Sequence, residues 1–168
     1  MDRLTSEQRR RCMQGNRGKG TSIEVLLCRE LWRRGLRYRK NDRTVVGSPD
    51  ISFKGRKLAV FCDGDFWHGR GWEENHSKIK SNKAYWHAKI ERNMVHDKEV
   101  NVALEQKGWK VLRYWESDIK KDVAKCADEV EQEWCRLEVR RIRRAYEFDS
   151  RFEGDVAAEG EEDYGIGD

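Results

Sequence analysis

The sequence predicts an α/β sandwich in which helices flank a small mixed sheet. Two observations carry that expectation. The order of elements is helix, short strands, long helix, strand, helix, with no internal repeat, and such an order buries helices against a sheet. The length, 168 residues with 37% in the hydrophobic set, supports one core and one folded domain.

The elements follow in order. Residues 1–20 are polar and basic, with a short helix expected from Leu4 to Gln14 and a loop through Gly15, Gly18 and Gly20. Thr21 or Ser22 is placed to cap the next helix, which carries Ile23, Leu26, Leu27, Leu31 and Trp32 at helical spacing and ends near Gly35. Glu24 falls in its first turn, where a carboxylate suits the helix dipole. Leu36 to Arg39 reads as extended. Asp50–Phe53 and Lys57–Cys62 read as paired strands around a Lys54-Gly55-Arg56 turn. A loop from Asp63 to Ser81 precedes a long helix over Asn82–Lys107 that stops at Gly108. Val111–Trp115 is the last strand, and Asp118 is expected to cap a final helix bearing Ile119, Val123, Cys126, Val130, Trp134 and Leu137.

Charge is unevenly distributed. Residues 145–168 hold nine Asp/Glu against one Arg, or −8, and the rest holds 34 Lys/Arg against 22 Asp/Glu, or +12. A basic body with an acidic end suits a polyanion partner, although a solvated, highly charged surface accounts for it equally well. The end from 147 has few apolar residues and is expected to be disordered. No window approaches 18 uncharged apolar residues, and the N-terminus lacks an apolar signal region, which exclude membrane and secreted classes. Five scattered cysteines with no CxxC pair fit reduced thiols and a cytoplasmic location.

The chemistry concentrates in Gly47-Ser-Pro-Asp50 and in Phe61 through His68. Phosphodiester hydrolysis needs a hard divalent cation, and Mg²⁺ takes one or two carboxylates together with waters and phosphate oxygens. Asp50 suits such a ligand, and a main-chain carbonyl near Cys62 is a second candidate. His68 is placed to move protons, and Glu24 to orient a water or to assist His68. Each residue also has a plainer reading: Pro-Asp as turn chemistry, His68 as a solvated loop residue, Glu24 as a first-turn charge.

Several blocks together resemble the very-short-patch repair (Vsr) endonucleases, which share the PD-(D/E)xK restriction-endonuclease-like fold. They are Met13 in Arg-Arg-Cys-Met-Gln, Thr-Ser-Ile-Glu24, Gly-Ser-Pro-Asp50, Val-Phe-Cys-Asp-Gly-Asp-Phe-Trp-His68, Tyr-Trp-His-Ala-Lys89-Ile-Glu-Arg-Asn93, and Lys-Gly-Trp-Lys-Val-Leu-Arg-Tyr-Trp-Glu116. The likeness spans about Met13 to Trp134. It implies a three-layer sandwich with a small central mixed sheet, and nicking of one DNA strand beside a T:G mismatch.

Residue by residue, the resemblance implies that Asp50 holds Mg²⁺, that Cys62 contributes its backbone carbonyl where the family has a Thr, and that His68 is catalytic with Glu24 as its acidic partner. Phe66 and Trp67 would enter the base stack, Met13 would wedge from the other side, and Lys89 and Asn93 would contact the mismatched pair. Asp63 stands where the family has a phosphate-contacting His and is an additional candidate metal ligand. The family's zinc ligands, three Cys and one His, correspond to Asp65, Arg70, Trp72 and Ser117, so no structural zinc is expected. Trp72, Trp115 and an Asp65–Arg70 pair are expected in its structural place.

The resulting division is a basic DNA-contacting segment at 1–20, a Vsr-like endonuclease domain at 21–146 and an acidic tail at 147–168. The expected partner is double-stranded DNA carrying a mismatch, with mismatch-repair proteins as candidate helpers, no membrane, and a monomer as the simplest state. Two rival readings stand beside this one: a related nickase acting on other mismatched, modified or foreign DNA, and a non-catalytic sensor of distorted duplex.

Overall fold

The computed structural model describes residues 5, 7–8, 20–79 and 81–158, with the backbone alone over 148–158. Met13 therefore lies outside the described residues, as does most of the 1–20 segment. The protein is a mixed α/β structure built on one four-stranded sheet of order β1-β2-β3-β4. Helix α1 spans Ser22–Arg33, β1 Arg39–Lys40, β2 Ile51–Phe53 and β3 Leu58–Asp63. A short α2 at Trp72–Asn75 precedes the long α3 at Lys83–Gln106, then β4 at Lys110–Trp115, α4 at Glu116–Lys121 and α5 at Val123–Ala158. No described helix is long and apolar enough to cross a membrane.

Local chemistry explains the elements. Thr21 closes a capping box on α1, its Oγ1 accepting from the Glu24 N–H while Glu24 bonds back to the Thr21 N–H. The β2–β3 hairpin turns through a 3₁₀ segment at Lys54–Arg56 and registers Ile51 opposite Val60. This antiparallel register carries Asp50, just before β2, to the carboxyl-terminal end of β3. The adjoining loop is pinned by buried Asp42, whose carboxylate accepts from Thr44 N, Thr44 Oγ1 and Ser52 Oγ at 3.1, 2.7 and 3.2 Å.

Strands β3 and β4 run parallel, joined by the crossover through α3, so both carboxyl ends lie on one side. Side chains alternate between the faces of this pair. Ala59, Phe61 and Asp63 share a face with Val111, Arg113 and Trp115. Against it Val100 and Leu104 of α3 join Val45, Ala59 and Phe61 in one apolar cluster. Leu58, Val60 and Tyr114 point the other way and are as deeply buried. There Cys62 lies beside Cys28 of α1, and Tyr114 beside Cys126 and Glu129 of α5. Helices on both faces of a small mixed sheet make the three layers.

Three expectations change. The last helix is two helices, broken at Asp122, whose extended φ of −156° ends α4 and whose Oδ1 accepts from Lys125 N at 2.9 Å. Asp is weak inside a helix and strong at an N-cap, so Asp122 rather than Asp118 performs the capping. The first extended segment is displaced to Arg39–Lys40. The helical backbone also continues to Ala158, through half of the stretch expected to lack structure, while 159–168 lie outside the described residues.

By compactness the chain divides into residues 1–131 and 132–168, a boundary within α5. In the second unit, Arg136–Glu133 and Arg141–Glu138 pairs at i,i+3 line the helix, and Val139, Ile142 and Tyr146 are exposed.

Candidate active site

A cleft of about 860 Å³ opens at the carboxyl end of β3. Such a position suits ligand binding in a sheet with parallel strands, because loops converge there. Its walls include Glu24, Asp50, Cys62, Asp63, Trp67, His68, Lys89 and Asn93, so the structure brings together nearly all the residues singled out from the sequence.

Asp50 is tied down by one oxygen. Its Oδ2 accepts from the backbone N–H of Cys62 at 2.8 Å, a bond that links the start of β2 to the end of β3. Burial pushes its pKa up to about 6, with the charges of Glu24 and Asp63 adding to the rise. The Cys62 thiol is likewise pushed up by burial, so its side chain is no thiolate, and only its backbone is available as a ligand.

His68 is held from α3. Its Nδ1 lies 2.6 Å from Asp97 Oδ2 and 3.7 Å from Asp63 Oδ1. Burial alone would lower the His68 pKa, but the bond to Asp97 and the charge of Asp63 outweigh it and raise the pKa. Asp97 is shifted the opposite way: burial would raise it, and its bonds to His68 and Arg113 bring it below the usual carboxylate range. An ionised acceptor at Nδ1 fixes the proton there and leaves Nε2 as the free ring nitrogen.

The acid bonded to His68 is thus Asp97, not Glu24. Glu24 is committed elsewhere: Oε2 accepts from Gly20 N at 2.8 Å, and Oε1 from Thr21 N and Oγ1 at 3.1 and 2.9 Å. It is 6% exposed on the cleft wall, and its charge acts on Asp50. Asp63 is also engaged, both oxygens accepting from Arg113 Nη1 at 2.9 and 2.8 Å. Sequence reasoning missed Asp97 and Arg113. A signal existed for Asp97, because Lys89, Asn93 and Asp97 follow at four-residue intervals and so share a face of α3.

The recognition candidates lie alongside. Phe66, Trp67 and Trp86 form a triangle of edge-to-face rings with centroids 5.4, 5.4 and 5.6 Å apart. Phe66 is 47% exposed, an unusual state for a residue that would otherwise be core. Asn93 Nδ2 donates to the Trp67 carbonyl at 2.9 Å, tying the aromatic loop to α3. Next to His68, Gly69 has φ +73°, and a Cβ there would lie 2.6 Å from Met94 Sδ and 3.1 Å from Ile90 Cγ2.

Of the four positions compared with zinc ligands, three meet around Arg70. Arg70 Nη1 donates to Ser117 Oγ and lies 3.7 Å from Asp65 Oδ1, Nη2 donates to Asp118 Oδ1 at 2.9 Å, and the guanidinium stands 5.7 Å from the Trp115 ring centroid. Trp72 is apart from them, packed with His76 and His87. A polar clasp thereby fastens the aromatic loop to the start of α4.

Five carboxylates (Glu24, Asp50, Asp63, Asp97 and Glu116) line the cleft against the fixed cations Lys89 and Arg113. Such a cleft gains from a cation, and the pKa of Asp50 is raised first by burial and then by the neighbouring charges of Glu24 and Asp63. No group of three or more His, Cys, Asp or Glu is arranged to hold a metal among the described residues. One carboxylate plus a backbone carbonyl suits Mg²⁺, which keeps waters and substrate oxygens, and does not suit an all-protein zinc cage.

Fold and site together define a mixed α/β protein whose acid-lined cleft, at the carboxyl end of the central strands, carries a histidine paired with an aspartate. Comparison with known proteins agrees. Residues 1–74 match the family model for the DNA mismatch endonuclease Vsr. The type II nicking enzyme V.NmeDIP of Neisseria meningitidis serogroup C is 52% identical over 132 residues, 79% of this chain and 89% of that one. V.HpaIIP of Haemophilus parainfluenzae, also a type II nicking enzyme, is 50% identical over 133 residues, covering 79% and 94%. The DNA mismatch endonuclease Vsr of Escherichia coli is 30% identical over 102 residues, covering 58% and 62%. The chain belongs to the Vsr family of DNA endonucleases.

Proposed function

We propose that this protein is a Mg²⁺-dependent endonuclease that nicks one strand of duplex DNA beside a T:G mismatch. The observation that carries the proposal is the meeting, on one cleft, of Asp50 and the His68–Asp97 pair with Trp67, Lys89 and Asn93. Asp50, with the backbone carbonyl at Cys62, would hold the ion. Bound there, Mg²⁺ neutralises charge on the phosphate and lowers the pKa of an attacking water. His68 takes or returns the proton at Nε2, while Asp97 fixes the tautomer and balances the imidazolium. Glu24 holds the α1 cap at the cleft edge and raises the demand for a cation at Asp50.

Phe66 and Trp67, braced by Trp86, act as a wedge at a base step that a mismatch has already weakened. Lys89 and Asn93, whose Oδ1 accepts no hydrogen bond among the described residues, meet the mispaired bases from the same helix face. Met13, outside the described residues, is assigned the opposite side on the family resemblance alone.

A strand-cleavage gel on matched and T:G duplexes in several flanking contexts, with Mg²⁺ or EDTA, tests the reading on wild type and Asp50→Ala. One-strand nicking confined to T:G duplexes and lost with EDTA or the substitution is expected. Equal cutting of matched DNA would overturn the mismatch specificity in favour of a broader nickase. Mismatch binding without any cutting would overturn catalysis in favour of a sensor.

A further inference from the structure

Arg113 enters the cleft from β4, on the sheet face that carries Phe61 and Asp63. Its donors are unequally committed. Nη1 donates to both oxygens of Asp63 and lies 3.1 Å from Asp97 Oδ1, and Nε donates to Asn101 Oδ1 at 2.9 Å. The guanidinium also lies over Phe61, with Cζ 4.3 Å from the ring centroid. Nη2 makes no hydrogen bond among the described residues, although the side chain is 19% exposed and lines the cleft. Guanidinium donors form a rigid fork, so two N–H groups stand ready for a group that enters from outside.

Three features decide what that group is. Two of the protein partners of Arg113, Asp63 and Asp97, are already carboxylates, and a third would add to an existing surplus. The cation is held from two sides and stacked on an aromatic face, so its geometry is set before any ligand arrives. A planar fork can keep two edges on protein groups and offer the third to an oxyanion, which an ammonium cannot do. We infer that Arg113 binds a non-bridging phosphate oxygen of the strand to be cut through Nη2, while Nη1 and Nε stay on Asp63, Asp97 and Asn101. Asp63 is then a positioning residue for Arg113. Donors fixed in place before the reaction need no reorganisation as charge develops on the phosphate. This inference rests on the DNA reading above and adds to it a phosphate contact within the reaction site.

The test uses the full chain and a T:G duplex. Binding by fluorescence anisotropy in EDTA, titrated with KCl, reports the phosphates engaged, because each neutralised phosphate adds about 0.9 to the slope of log K against log[salt]. Arg113→Gln is expected to lower the slope by about 0.9 and to slow single-turnover nicking in Mg²⁺ on the order of 10²-fold. Arg113→Lys should restore the slope but not the rate, since it returns the charge without the fork. An unchanged slope in Arg113→Gln overturns the inference whatever happens to the rate. If Arg113→Gln fails to fold by circular dichroism, wild type and Arg113→Lys are compared on duplexes with one neutral methylphosphonate stepped through the nick region. A nicking-rate penalty at one phosphate that is larger in wild type than in Arg113→Lys supports the contact made by the fork, and equal rate penalties throughout overturn it. A wild-type chain without salt-dependent DNA binding or nicking would instead sink the DNA reading itself, before any variant is compared.

Discussion

Asp50 must be both buried and charged, and those demands conflict. Its pKa, pushed up to about 6 by burial and by Glu24 and Asp63, lies above the 3.8 of an ordinary Asp. A raised carboxyl pKa means that the folded chain holds the proton more tightly than the unfolded one. Folding stability is therefore full below pH 3.8 and declines as pH rises through about 6. Asp50→Asn keeps the acceptor for the Cys62 N–H and removes the charge. In EDTA at pH 7 it should melt above wild type, by on the order of 2 kcal/mol, and the gap should close near pH 4. Added Mg²⁺ should raise the melting temperature of wild type but not of Asp50→Asn. Equal melting of the two at pH 7 in EDTA would show that Asp50 carries no such strain. Asp50 and His68 are legible in the sequence as members of an ordered set of blocks, because taken singly each has a plainer reading. Arg113 is not, because its role depends on Asp63, far away along the chain, and the spacing that puts Asp97 on one face with Lys89 and Asn93 does not disclose its partner His68. In Val111-Leu-Arg-Tyr-Trp115, one charge in an apolar strand carries no sign of what lies across the sheet.

At the scale of elements, the loop that carries His68 is placed by what holds its two sides. Asn93 fastens the Trp67 carbonyl to α3, and the Arg70 clasp fastens the far side to the start of α4. Between them Gly69 lets the backbone pass over Ile90 and Met94 at positive φ. An added methyl meets two costs there, left-handed backbone and overlap with packed α3 side chains. Gly69→Ala should destabilise the fold by about 1–3 kcal/mol and slow nicking through His68, with DNA affinity less affected. Chemical denaturation and single-turnover rates measure this, and a variant with wild-type stability would show that the loop has slack. The β2–β3 hairpin is readable because its turn is local, and α3 because Gly108, at φ +75°, ends it. The break at Asp122 escapes a reading by period because apolar spacing runs straight through it, from Ile119 to Val123 and Cys126, and only the backbone at Asp122 departs.

Over the whole molecule the sequence carries +12 on the body and −8 over residues 145–168, a pattern with a testable consequence for DNA binding. A basic body attracts duplex of any sequence, which holds the enzyme on matched DNA as readily as it brings it near a lesion. An acidic segment on the same chain opposes that attraction wherever the screening length reaches. At about 0.01 M salt that length is about 30 Å, larger than a small domain's radius, and near 1 M it is about 3 Å. The opposing effect therefore needs no specific docking site. Removing residues 148–168 should tighten binding to random duplex at low salt and leave it unchanged at high salt, with a steeper salt dependence than the full chain. The affinity ratio between T:G and matched duplex should fall at low salt, because non-specific binding gains most. Anisotropy titrations of both proteins across salt concentration measure this directly. Superimposed curves would mean that the acid segment's charge does not reach the DNA-binding face even when screening is weakest. Discrimination would then have to come from the wedge and from the contacts of Lys89 and Asn93 alone.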